Sequence, residues 1–216
     1  TNGDATQTIG SLNSSWFGVT VFDDAGCFSV ADSIYVGEPD PLQSTIEVTN
    51  HASCFGASDA SGSISLNTTG TPPYIYSWTD ALGSVVNTAL DSLIFDVTAG
   101  SYLCTVIDAN GCEDTISLTL NEPTVVVLES VDTTQNLCNG DANGEIIVIA
   151  SGGTPGYSDY TIKGSNLLLT QQSNIFSNLE EDDEPGYYFW VFDANNCSSD
   201  TIGPIKIGDP KGIELI

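Results

Sequence analysis

The stretch Gly100-Ser101-Tyr102-Leu103-Cys104-Thr105-Val106-Ile107-Asp108-Ala109-Asn110-Gly111-Cys112 sets the reading of the whole chain. Tyr102, Cys104 and Val106 alternate with smaller or polar residues, the period-2 signature of a half-buried strand, and D-A-N-G-C ends it in a turn. The same pattern stands on either side. Phe17, Val19 and Val21 lead to D-D-A-G-C at Cys27, and Tyr187, Phe189 and Val191 lead to D-A-N-N-C at Cys197. The three cysteines are spaced by 85 residues each time, so the chain is an array of one motif.

Other elements recur in the same phase. Cys54 opens C-F-G-A-S-D-A-S-G and Cys138 opens C-N-G-D-A-N-G, 84 residues apart. A Gly-Thr-Pro turn occupies Gly70 to Pro73 and again Gly152 to Gly156. Glu38-Pro39, Glu122-Pro123 and Asp209-Pro210 punctuate the boundaries. These divide the chain into the C-terminal half of a unit at residues 1–42, complete units at 43–124 and 125–210, and the start of another at 211–216. No leader is evident, which suggests a slice of a longer or processed protein. Units of about 85 residues can bury somewhat over 60% of their unfolded surface, enough for a small core.

No segment shows a helical period with caps. Short alternating strands between Gly, Pro, Asn and Asp turns predict an all-β fold of tandem immunoglobulin-like antiparallel sandwiches, with Trp78 of P-P-Y-I-Y-S-W as the central ring.

The 216 residues carry 29 Asp and Glu against 3 Lys and Arg, a formal charge of -26. Such a field repels polyanions, so nucleic acid is excluded as a partner. No apolar run reaches the roughly 18 residues of a membrane helix, and 40% hydrophobic residues are too many for an acidic disordered tail.

The combined pattern of C-x-G followed by D-x-[NS]-G, then G-T-P-P-Y-x-Y-S-W, then G-S-Y-x-x-x-V-x-D-A-N-G-C, resembles the SprB repeat of Bacteroidetes surface adhesins, in the PKD and immunoglobulin-like group. It covers nearly the whole chain. Residues 125–210 depart from it, because Tyr157, Asp159 and Tyr160 replace the Y-x-Y-S-W run and Asn196 replaces a Gly. The resemblance implies a long cell-surface filament for adhesion and gliding motility, exported by a Bacteroidetes secretion route. Its expected partners are neighbouring repeats of the same chain, surface polysaccharide or other cell-surface filament proteins.

Six cysteines without zinc-type C-x-x-C pairs fit an oxidising, extracellular setting. Cys54 with Cys112 and Cys138 with Cys197 hold equivalent places in successive units, and one disulfide within each unit is the simplest expectation, contributing roughly 4 kcal/mol in the chain-entropy model. Cys27 is then left without a partner here, and Cys104 is expected as a buried free thiol.

Each D-x-[NS]-G reads either as a turn, with Asp capping the backbone and Gly at positive φ, or as a calcium site using Asp108, Asn110 and Glu113. Calcium is the one candidate cofactor. Ser33, Ser92, Thr115, Thr133 and Thr201 each follow Asp and precede Thr or an aliphatic residue. That pattern looks like the O-glycosylation signal of exported Bacteroidetes proteins, and reads equally well as strand starts. Catalysis finds no support: His51 is the single imidazole, its surroundings do not recur, and enzymes rarely tile an active site every unit. A passive spacer is the leading reading, with a carbohydrate- or surface-binding module as the alternative.

Overall fold

The structure is a computed structural model that describes residues 8–29, 33–67, 70–87, 91–182 and 184–210. The expected start of a further unit at 211–216 lies outside the described residues. No helix occurs among those described.

Seven strands build the first sandwich: β5 (Ser44–Asn50), β6 (Ala60–Leu66), β7 (Ile75–Asp80), β8 (Val85–Asn87), β9 (Leu93–Val97), β10 (Gly100–Ile107) and β11 (Glu113–Leu120). They form two antiparallel sheets in the orders β5-β6-β9 and β11-β10-β7-β8. The second sandwich repeats this with β12 (Val127–Thr134), β13 (Gly144–Ser151), β14 (Ser158–Lys163), β15 (Leu168–Gln171), β16 (Ile175–Leu179), β17 (Tyr187–Phe192) and β18 (Ile202–Ile205), in the orders β12-β13-β16 and β15-β14-β17-β18. This is the seven-strand immunoglobulin-like plan. Ahead of both lie β1 (Ser15–Gly18), β2 (Val21–Phe22), β3 (Phe28–Ser29) and β4 (Ser33–Val36). β1 pairs with β4 and β2 with β3, reproducing the last hairpin of a sandwich around the turn that carries Cys27.

Alternation places every second residue between the sheets. Ala60, Ile64, Trp78, Ile94, Tyr102, Cys104, Val106, Leu118 and Leu120 form the first core together with Leu42 and Ala52. Val126, Ile146, Val148, Tyr160, Ile162, Phe176, Phe189, Val191 and Ile207 lead the second. Trp78 is fully buried, as its pattern predicts. Each core also has a tyrosine corner: the Tyr102 hydroxyl donates to the Thr98 carbonyl at 2.8 Å, and the Tyr187 hydroxyl to that of Glu180 at 3.0 Å.

The irregular strand of the second unit has a specific cause. Ser158 pairs with Phe192 but Thr161 with Trp190, so β14 takes three steps while β17 takes two. The extra residue is accommodated at a bulge containing Asp159, whose φ is 54°. Beyond it the register returns, and Ile162 opposite Phe189 matches Trp78 opposite Cys104.

Candidate functional site: the ends of the sandwiches

Two repeated motifs interlock at one end of each sandwich. Asp108 is almost fully buried, and its Oδ1 accepts the amides of Asn110 and Cys112, both at 2.9 Å. Its Oδ2 accepts the Thr71 amide of the Gly-Thr-Pro turn at 3.0 Å, and the Asn110 side chain donates to Thr71 Oγ1 at 2.8 Å. Asp193 does the same with Asn195 and Cys197 through Oδ1 and with Thr154 through Oδ2. Asp23 holds the amides of Ala25 and Cys27. The amide donors, first among them Thr71, hold the Asp108 carboxyl below its usual range against the opposing effect of burial. Gly26, Gly111 and Asn196 all take the left-handed conformation that closes this turn, which explains why Asn can stand in for Gly at 196.

The other end carries the C-x-G loop. Glu122 accepts the Gly56 amide through Oε2 at 2.6 Å, and Asp209 accepts the Gly140 amide through Oδ2 at 2.7 Å. The acid before each boundary proline therefore clamps the loop. Gly62 and Gly144 of D-x-[NS]-G serve differently from the expected turn: they lie in β6 and β13. A Cβ on Gly62 would stand 2.6 Å from Leu118 and 3.0 Å from the Glu47 carbonyl, so close packing, not positive φ, requires the glycine there.

Strand direction decides which cysteines can meet. β5 and β11 run side by side in the same sense, since Ser44 binds Asp114 while the Ala52 amide donates to the Asn121 carbonyl and His51 Nδ1 accepts the Asn121 amide. Cys54 follows the far end of β5, and Cys112 precedes the near end of β11. Eight residues of β11 span roughly 26 Å, against the roughly 4–7 Å that a disulfide tolerates between Cα atoms. The expected Cys54–Cys112 bond is therefore replaced by Cys54–Cys197, with Cα atoms 5.6 Å apart. The expected Cys138–Cys197 bond is absent for the same reason, and Cys27, Cys104, Cys112 and Cys138 are free thiols.

The bond joins the lower end of the first sandwich to the upper end of the second. Asn195 Nδ2 donates to the Ser53 carbonyl at 3.0 Å beside it. His51, Ala52, Ser53, Asn121, Glu122, Pro123, Thr154 and Asn195 line an open cleft of about 540 Å³ at this junction. The sequence reading missed Ser53, Glu122, Thr154 and Asn195 as junction residues; Glu122, Thr154 and Asn195 recur in E-P, G-T-P and D-A-N-x-C, while Ser53, replaced by Leu137 in the next unit, takes part through its backbone carbonyl.

The remaining candidate residues are dispersed. Glu113 is exposed at the start of β11, and both oxygens of Asp108 are engaged by amides, so Asp108, Asn110 and Glu113 form no open acidic cage. Among the described residues no three His, Cys, Asp or Glu side chains converge on a possible metal position. Ser33, Thr115 and Thr201 are exposed, and Ser92 and Thr133 half-buried. Thr115 Oγ1 lies 3.2 Å from Thr105 Oγ1 across the β10–β11 ladder. Among the described residues no helix is long and apolar enough to cross a membrane.

Two immunoglobulin-like sandwiches in tandem, mated end to end and cross-linked by a disulfide, define an all-β tandem-repeat protein. The family model of the SprB repeat matches residues 46–83 and 130–166, the first half of each sandwich. The chain carries SprB-type repeats, which are repeats of cell-surface adhesins. Among solved structures it is similar to a C-terminal 282-residue fragment of intimin, crystallised with the intimin-binding domain of the translocated intimin receptor, at 12% identity and a TM-score of 0.38. That match covers 76% of this chain and 64% of the fragment. The four N-terminal Ig domains of Dscam1 isoform 6.44 match at 12% identity and a TM-score of 0.31, over 85% of this chain and 52% of theirs. The comparison with curated proteins gave no match.

Proposed function

We propose that the chain is a structural spacer within a long cell-surface adhesin filament serving adhesion and gliding motility, exported by a Bacteroidetes-type secretion route, with unit boundaries near 42/43 and 124/125. The observation that carries this reading is the mated junction: the lower end of the first unit (C-x-G held by an acid before proline) meets the upper end of the second (D-A-N-x-C held by G-T-P), and both kinds of end recur in each complete unit. A repeat whose recurring polar residues serve the joint, with interiors filled by apolar side chains, is built for length. Of the rings that separate the two readings, Tyr187 is buried and Tyr188 and Trp190 are half-buried, which supports the spacer, whereas Trp16 and Tyr35, exposed on the β1–β4 hairpin with ring centroids 5.3 Å apart, favour the binding-module alternative. We read the protein as non-catalytic on the same grounds.

Deleting whole units from the gene in the producing cells tests this. Adhesion and gliding should decline with the number of units removed, whichever units they are, and the purified chain should bind no glycan on an array. Specific glycan retention by the purified chain would establish the binding-module alternative instead.

A further inference from the structure

The Cys54–Cys197 bond crosses a repeat boundary, and both of its ends recur elsewhere in the chain in the same local geometry. Cys138 sits in a C-x-G loop clamped by Asp209 as the Cys54 loop is clamped by Glu122. It is exposed and free. Cys112 sits in a turn held by Asp108 as the Cys197 turn is held by Asp193. Its neighbour Asn110 makes the same bond to Thr71 that Asn195 makes to Thr154. Asn195 uses its amide a second time, on the Ser53 carbonyl of the preceding unit, so Asn110 is posed to do likewise. Cys27 lies in a third such turn, also exposed, with Ala25 in place of the Asn donor.

We propose that Cys54–Cys197 is one link of a series: the C-x-G cysteine at the lower end of each unit bonds the turn cysteine at the upper end of the unit after it. Cys138 accordingly takes the turn cysteine of a further SprB-type unit, and Cys112 takes the C-x-G cysteine of one before. The pairing is heterologous, one kind of end on the other, so it propagates as an open chain and does not close into a dimer. Each link forms as two thiols surrender two protons and two electrons to a disulfide oxidant. With oxidised glutathione the electrons leave in two molecules of reduced glutathione, through a mixed disulfide.

The purified 216-residue chain, at high concentration in a glutathione redox buffer, supplies both ends. After alkylation and proteolysis, mass spectrometry should find Cys54–Cys197 within the chain. Between copies, Cys138–Cys27 and Cys138–Cys112 should exceed the like pairs Cys138–Cys138, Cys27–Cys27 and Cys112–Cys112 by about tenfold. Non-reducing gels should show a ladder that collapses on reduction and is lost in Cys138→Ser. An even mixture of all pairs, Cys138 capped by glutathione in a monomer, or Cys138–Cys197 within one chain would each overturn the proposal. The peptide map of the unsubstituted chain decides the matter even if the variant misfolds. Neither outcome bears on adhesion or gliding, so the spacer reading stands or falls separately.

Discussion

Trp78 on β7 stands directly across from Cys104 on β10, and both side chains are wholly removed from solvent. At the matching place of the second sandwich Ile162 faces Phe189, also fully buried. The ring has changed strands, and the small partner has changed with it, so the space between the sheets is filled either way.

Exchange of these residues should show the compensation. Cys104→Phe alone overfills the site, costing about 1–3 kcal/mol, while Trp78→Ile alone leaves a void costing about 2–4 kcal/mol. The double variant should fall short of their sum by at least about 1 kcal/mol, measured by urea denaturation. Strict additivity would show that the two positions do not share one space.

Burial pushes the Cys104 thiol up to about 11 from 9.0, so it stays protonated in the fold where the unfolded chain would ionise. Its contribution is full below pH 9 and declines as pH rises from 9 through 11, because the unfolded state then binds fewer protons. Cys104→Ala should flatten the loss of thermal stability in that window. Above pH 10 the raised Tyr76, Tyr160 and Tyr187 hydroxyls add a decline that the variant retains. Equal slopes for both proteins between pH 9 and 10 would contradict this assignment.

Asp193 is the acceptor around which the upper end of the second sandwich is built. Asp193→Ala removes the acceptor shared by the amides of Thr154, Asn195 and Cys197, the last of them buried, a loss of about 1–3 kcal/mol. Because Cys197 rides on that turn, the variant should also form Cys54–Cys197 more slowly on reoxidation, followed by thiol alkylation. An unchanged rate would mean that the turn does not present the cysteine. For Asp108 the sign follows from its lowered pKa: the stabilisation is present above the ordinary carboxylate value of 3.8 and is lost as pH falls through the lower folded value. The Asp108→Asn variant should thus be less sensitive to acid than the unsubstituted chain.

Reducing Cys54–Cys197 should leave both sandwiches folded and loosen only the joint. Far-ultraviolet dichroism should hold, while proteolysis between Asn121 and Val126 quickens and small-angle scattering broadens. Cooperative unfolding of both sandwiches on reduction would contradict the separate cores.

The alternation in β10 and β17 made the sandwich plain, because burial between two sheets imposes period 2. The two cores followed from the 85-residue spacing. The disulfide pairing was misread because equivalent cysteines recur in every unit, so spacing alone fits a bond within a unit as well as one between units. What separates them is direction. Cys54 follows the first strand and Cys112 precedes the last, and in a sandwich entered at one end and left at the other these are opposite ends. The Asp159 bulge was present as a single added residue between Tyr157 and Tyr160. The junction bonds of Ser53 and Asn195 were illegible, since a backbone carbonyl accepts without any sequence mark.

The 143-residue separation of Cys54 and Cys197 also determines what a pull on the two ends of the chain can reach. Tension entering at Leu42 runs along β5 to Cys54, crosses the sulfur bridge to Cys197 and leaves towards Asp209. Nearly all of both sandwiches hangs outside that route as a slack loop, whose contour, at about 3.4 Å per residue, approaches 500 Å. While the bridge is intact, that length cannot pay out under load, so the strand extends like a chain of short links, and a reductant, not force, is what releases it.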